Sequence, residues 1–343
     1  MQTIVTNKNY EKLMNIWLCS LIFLVILIII IGGLTRLTDS GLSITKWELL
    51  KGILPPFKEN QWQFYFSEYK KIPQYILINK DISLLEFKVI FYWEYVHRLL
   101  GRLIGLFFIA PFVYFLFKKV INKRYIKSFS LILFLILLQG LIGWFMVVSG
   151  LTENITVSHF RLSLHLFTAF IILSFLVWLF LISTTKKERS FFNNFNSFNS
   201  INIFLFFIYL QIIIGAFVSG LDAGKVYQSW PLMNDSYFPN DFNLKSVFLF
   251  DSLSHHGFVQ FIHRNIAYVI FINYLYIGYI IFSKKKMFLY KSYIILLLII
   301  FLQILLGISA LLSNLDILIA SMHQISSIFL IIFSLNLYFK SIE

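Results

Sequence analysis

The chain has 343 residues, 59% of them hydrophobic and only 13% charged, with a mean hydropathy of +0.79, which excludes a soluble globular protein and makes lipid its main solvent. A single cysteine, Cys19, excludes an intramolecular disulfide and any thiolate-rich metal site. The net charge of +13 lies in short clusters between apolar runs, where orientation in a membrane accounts for it without nucleic acid.

Runs long enough to cross a hydrocarbon core of about 30 Å at about 1.5 Å per residue fall at 13–35, 87–117, 128–149 and 158–183. Four more follow at 201–219, 255–283, 290–312 and 318–340. The first run is too long for a signal-peptide core and has no small-residue cleavage pattern after it, so it is expected to remain as a helix. The expected fold class is therefore an all-α integral membrane protein with eight transmembrane helices. Within the longest loop, 36–86, the stretch Lys58 to Lys71 sets Trp62, Phe64, Tyr65, Phe66 and Tyr69 among charges. It fits either an amphipathic segment lying on the membrane surface or a folded loop.

Loops after the even-numbered runs are basic: Lys118, Lys119, Lys123, Arg124 and Lys127, then Lys186, Lys187 and Arg189, then Lys284, Lys285, Lys286 and Lys291, with Glu188 as the one acid. Loops on the opposite side hold Glu153 without a base, and Asp222, Asp235, Asp241 and Asp251 against Lys225 and Lys245. The positive-inside rule then puts both termini in the cytoplasm.

An internal repeat links the two halves. Gly32, Asp39, Gly41 and Trp47 fall on Gly215, Asp222, Gly224 and Trp230 at an offset of 183. His97 and Arg98 fall on His263 and Arg264 at 166, Gln139 and Gly143 on Gln303 and Gly307 at 164, and His165 on His323 at 158. Each unit, 1–185 and 186–343, contains an even number of spans. The halves thus share one orientation and are expected to be two pseudo-twofold-related four-helix bundles about an axis along the membrane normal. Gly32, Gly143, Gly215 and Gly307 lie on the odd-numbered spans; His97, His165, His263 and His323 lie on the even-numbered ones.

Ionisable groups inside a membrane are costly and point to function. Two histidines per half, on separate helices, suit one metal held axially from two sides, which is haem ligation; zinc or copper would want three or more ligands close together. His97, Gly101 and Gly105 share one helical face at four-residue spacing and offer a flat wall to a macrocycle. Arg98, Arg102 and Arg264 are candidates to neutralise propionates, the alternative being snorkelling or pairing with interior acids. Glu94 lies one helical turn before His97, whereas the matching position is Gln260. A carboxylate beside one site only points to proton chemistry there; a structural ion pair with Arg98 or Arg161 is the alternative. His159, Arg161, His255 and His256 fall at the outer ends of their helices and stand outside the ligand set.

At these residues the sequence resembles the haem A synthase family, in its proteobacterial and mitochondrial branch. The stretches that carry the resemblance are GGLTRLTDSGLSITKW (32–47), EFKVIFYWEYVHRLLGRLIG (86–105), QGLIGWFMVVSGL (139–151), VSHFRLSLHL (157–166), GAFVSGLDAGKVYQSWPLM (215–233), VQFIHR (259–264) and the region from LGISALL to ASMHQ (306–324). The resemblance implies an oxidoreductase of the bacterial inner membrane that converts the C8 methyl group of haem O to a formyl group, giving haem A for cytochrome oxidase. It implies Glu94 as the catalytic residue, His97 and His165 as ligands of the substrate haem, and His263 and His323 as ligands of haem b. A haem O synthase, an electron carrier and further copies of the chain are the implied partners. Loop 36–86 contains no cysteine, a departure from the family branch that carries a cysteine pair there. Two other readings remain open at this point, a dihaem electron carrier that alters neither haem and a secondary transporter.

Overall fold

A computed structural model describes residues 4–46, 51–152, 156–189 and 199–342. Trp47 and Glu153, used above, lie outside the described residues. Among the described residues eight helices are long and apolar enough to cross a membrane: α1 (Glu11–Leu37), α4 (Leu84–Phe117), α5 (Lys123–Thr152), α6 (His159–Thr185), α7 (Asn199–Gly220), α8 (His256–Ser283), α9 (Met287–Leu312) and α10 (Ile317–Ser341). Two short helices, α2 (Glu59–Tyr69) and α3 (Pro73–Leu77), lie between α1 and α4.

Local chemistry sets the helix ends. Ser83 and Glu86 form a capping box that starts α4, and Asp316 accepts the Ile319 amide to start α10; each satisfies orphan amides of a first turn. Asp39 and Asp222, which follow α1 and α7, take left-handed backbone conformations with φ of 50° and 51°. Lys119 and Lys285, which follow α4 and α8, do the same at 52° and 49°. Both pairs obey the repeat offsets of 183 and 166, so the same turns close equivalent helices. Asp carries this conformation more readily than most residues.

Helix α1 packs on α4 and α6, α6 on α7, and α10 on α9, α6 and α1. The core runs between these helices through Leu18, Leu21, Leu173, Leu176, Ile331 and Leu335. Helices α5 and α9 turn many large side chains outward, Leu137, Leu141, Phe145, Leu298 and Leu305 among them.

Segment 58–71 is a folded loop over its apolar face. Helix α2 buries Trp62, Phe66 and Tyr69 against the start of α4, with ring centres 5.0 Å apart for both Trp62–Phe91 and Phe66–Phe87. Burying each such side chain contributes about 1.5–3 kcal/mol, enough to hold the segment on the protein. Tyr69 is wholly buried, and burial pushes its hydroxyl up to about 12, so it stays protonated. It accepts from Asn79 at 2.8 Å and donates to Gln74 at 3.1 Å, and Gln74 in turn donates to the Asp39 carbonyl at 3.0 Å. This chain ties α2 and α3 to the turn after α1.

Candidate functional site

All four span histidines sit against the span glycines. A Cβ at Gly32 would lie 2.9 Å from His97 Cε1, at Gly143 3.0 Å from His165, at Gly215 3.1 Å from His263 and at Gly307 2.9 Å from His323. Any side chain there would push the imidazole aside, so the alternation of Gly and His is one packing device used four times. Plain helix contact does not require it; an imidazole edge does.

The imidazoles come in pairs, one per half. Ring centres are 6.4 Å apart for His97 and His165, and 6.5 Å for His263 and His323. A metal bound axially between two imidazoles, at about 2 Å from each nitrogen, separates the ring centres by about 6 Å. Both pairs fit that spacing. Among the described residues no three His, Cys, Asp or Glu side chains gather as a metal site; the imidazoles stand in twos.

Glutamine backs three of the four. Gln139 donates to the His165 carbonyl at 2.9 Å and Gln211 to the His263 carbonyl at 3.0 Å, while His323 Nδ1 lies 3.1 Å from the Gln303 carbonyl. Holding Nδ1 at a carbonyl fixes the tautomer and makes Nε2 the acceptor; the side-chain nitrogen of Gln303 lies 3.5 Å from His323 Nε2, and that of Gln211 3.3 Å from His263 Nε2. Nδ1 of His165 and of His263 is buried without a hydrogen-bond partner. Gln211 was not singled out from the sequence, although it shares with Gln139 and Gln303 the place four residues before the glycine.

Glu94 is 3% exposed and fully engaged. Its Oε1 accepts from Arg98 Nη2 at 2.5 Å, and its Oε2 accepts from Ser43 Oγ at 2.7 Å and the Ile44 amide at 2.8 Å. Arg98 also donates to the Ile44 carbonyl at 3.1 Å. The structural ion pair is thus present and its cation is Arg98; Arg161 instead stacks on Phe145 at 4.2 Å. In the second half Gln260 and Arg264 both donate to the Tyr227 carbonyl, at 2.8 and 3.1 Å. Tyr227 is the equivalent of Ile44 at the offset of 183, so one docking of helix on loop is built twice, with a carboxylate beside the arginine in one half and an amide beside it in the other.

Arg98 and Arg102 line a common cleft with Lys46, Ile44, Tyr65 and Tyr95. Arg264 stands apart in the second half, where it also reaches the Leu232 carbonyl at 3.2 Å. His255 caps α8, His159 opens α6 and His256 is exposed, so none joins the facing pairs. Sequence reading missed Arg36, which bridges Asp39 at 2.9 Å and Asp222 at 3.3 Å. The available signal was a cation at the end of α1 where the repeat places Ser219.

Residues 15–335 match the family described as cytochrome oxidase assembly protein. The chain is 47% identical to the haem A synthase of Pelagibacter ubique over 326 residues, covering 94% of this chain and 95% of the relative. It is 40% identical to the haem A synthase of Flavobacterium johnsoniae over 94% of this chain and 96% of the relative. With that of Rickettsia africae it shares 40% identity over 96% and 98%. A family match over nearly the whole chain, with relatives at such identity, shows that this chain belongs to the haem A synthase family of cytochrome oxidase assembly proteins.

Proposed function

We propose that the chain oxidises the C8 methyl group of haem O to a formyl group, supplying haem A for cytochrome oxidase. The N-terminal half, 1–185, takes the substrate between His97 and His165, and the C-terminal half, 186–343, keeps haem b between His263 and His323. The observation that carries this reading is a chemical difference between two sites related by the repeat, a buried carboxylate at Glu94 in one and an amide at Gln260 in the other. A carrier of electrons alone would have no use for it.

Glu94 is the catalytic residue in this reading. A methyl hydrogen has no useful acidity, so the methyl carbon must lose electrons as its proton departs, and a fixed carboxylate accepts that proton or stabilises the positive charge that develops. Arg98, Ser43 and the Ile44 amide hold the carboxylate in place. Each of two successive hydroxylations replaces a C–H bond with a C–OH bond: the carbon gives up two electrons to an external electron carrier, water supplies the hydroxyl, and two protons leave; the geminal diol then loses water to give the aldehyde. Haem b, when bound, supplies one-electron chemistry. Arg98 and Arg102, with Lys46, offer cations to the substrate's propionates, and Arg264 does so in the second half.

The lysine and arginine distribution supports cytoplasmic termini, with loops 38–83 and 221–255 on the outer face of a bacterial inner membrane. A haem O synthase as supplier and a separate electron carrier complete the scheme. The test is pigment analysis of the purified protein by mass. Haem b together with haem O or haem A supports the reading; haem b alone, in every preparation from cells that make haem O, would leave an electron carrier.

A further inference from the structure

We infer that Ser43 is a positioning residue for Glu94, one that satisfies the buried carboxyl group in both of its charge states. The inference rests on the reading of Glu94 as the group that exchanges a proton.

Ser43 is 1% exposed. Its Oγ lies 2.7 Å from Glu94 Oε2 and 3.3 Å from the Ile90 carbonyl. The other two partners of the carboxyl group, the Arg98 guanidinium and the Ile44 amide, can only donate. They suit the carboxylate and have nothing to offer the acid. A hydroxyl has one proton and two lone pairs, so Ser43 serves both forms. With Glu94 ionised, the Ser43 proton points to Oε2. With Glu94 protonated, the carboxyl O–H donates to Ser43 Oγ and the hydroxyl turns to the Ile90 carbonyl. No buried polar atom loses its partner in either state, and the carboxyl group does not have to move. The other titratable group facing Glu94 is Tyr69 of α2, whose hydroxyl is already engaged with Asn79 and Gln74.

The repeat supplies independent support. At the offset of 183 the residue matching Ser43 is Val226, so the hydroxyl and the carboxylate occur together in the first half and are both replaced in the second. Gln260 has no second charge state and takes the Tyr227 carbonyl instead. The loop that carries Ser43 is itself fixed, because Gln74 holds the Asp39 carbonyl and Leu42 is buried.

The experiment compares the full-length enzyme with S43A, S43T, S43C and E94Q, measuring kcat and KM on haem O, haem O retained and the melting temperature. S43A should lower kcat about tenfold or more, with KM and retained haem O unchanged and the melting temperature somewhat lowered. S43T should recover kcat to within about twofold, because it keeps the hydroxyl, and S43C should not. S43A added to E94Q should cost nothing further. Normal kcat in S43A, or an additive loss in the double variant, overturns the inference. Should S43A fail to fold, S43T against S43C decides, and equal rates for those two overturn it. Normal turnover by E94Q instead sinks the underlying reading of Glu94, whatever Ser43 does.

Discussion

Arg36 Nη2 donates at 2.6 Å to the backbone carbonyl of Ser219, the residue that holds the place of Arg36 in the second half. The same guanidinium pairs with Asp39 and Asp222, which are themselves equivalent under the repeat. One cation at the seam between the halves thus serves two turns of the same construction. A contact between equivalent positions is what a twofold axis through the seam would produce.

Replacing Arg36 with Gln should destabilise the fold by about 1–2 kcal/mol, the range for losing charge-assisted hydrogen bonds to carboxylates that are partly solvated. Burial raises the Asp39 pKa above its ordinary value, and Arg36 opposes that rise. A carboxyl group whose folded pKa is raised favours folding fully at pH below its unfolded value, and that contribution is lost as pH rises through the folded value. Without Arg36 the folded value climbs further, so the loss at neutral pH grows. Melting of the variant in detergent should therefore drop more at pH 7 than near pH 4, and equal drops would show that Asp39 does not feel Arg36.

The glycines give a graded test of the imidazole sites. Gly215→Ala or Gly307→Ala should disturb a low-spin b-type spectrum, because the added Cβ meets His263 or His323 at 3.1 or 2.9 Å. Gly105→Ala and Gly140→Ala should leave the spectrum alone, since nothing lies within 4 Å of a Cβ at either position. Unchanged spectra in all four variants would mean that the histidine edges do not set haem geometry.

Removing a ligand outright is the stronger version. His263→Ala or His323→Ala should abolish the haem b signal or turn it high-spin, whereas His97→Ala should leave it in place. A low-spin b-type spectrum that survives both changes in the second half would take the permanent haem elsewhere.

The eight spans and the pairing of histidines between halves were legible because both depend on residue type at a fixed interval along a helix. Apolar length gives the spans, and the offsets of 183, 166, 164 and 158 give the equivalences. Of the groups that touch Glu94, Arg98 was legible one helical turn away, whereas Ser43 and Ile44 were not, because they reach it from a loop about fifty positions away and no helical period links them. The fate of 58–71 was open for a related reason: an amphipathic face does not say whether lipid or Phe87 and Phe91 will cover it. Arg36 escaped notice because a cation at a helix end has an ordinary explanation in snorkelling, and only the folded seam brings Asp222 to it.

Orientation can be read from thiol labelling. Cys19 lies within α1 and should first be replaced by Ser to remove background. Single cysteines at Lys285, between α8 and α9, and at Asp241, between α7 and α8, should then label from opposite sides of intact cells or vesicles, with Lys285 protected in intact cells. Labelling of both from one side would break the topology.

Glu94→Gln separates binding from chemistry. The second half already shows that Gln260 and an arginine can share one loop carbonyl at this position, so an amide is compatible with the backbone geometry. In the first half the amide would face donors from Ser43, Ile44 and Arg98. Its oxygen can take the Arg98 side while its NH2 group donates to Ser43 Oγ, which leaves the Ile44 amide without an acceptor at a cost of about 1–3 kcal/mol. The variant should therefore fold, with a lowered melting temperature, and keep haem in both halves, because neither imidazole pair has been touched. What it loses is the charge that accepts a proton or stabilises the developing positive centre. Haem A should fall by about a hundredfold or more, and haem O or a hydroxylated intermediate should accumulate in its place. His97→Ala should behave differently, releasing substrate haem rather than stalling it. The deciding measurement is the ratio of haem O to haem A in membranes, set beside the haem content of each purified variant. Normal haem A from Glu94→Gln would leave the Glu94–Arg98 pair as a purely structural bond, and loss of all haem from that protein would mean that the pair holds the site together instead of working in it.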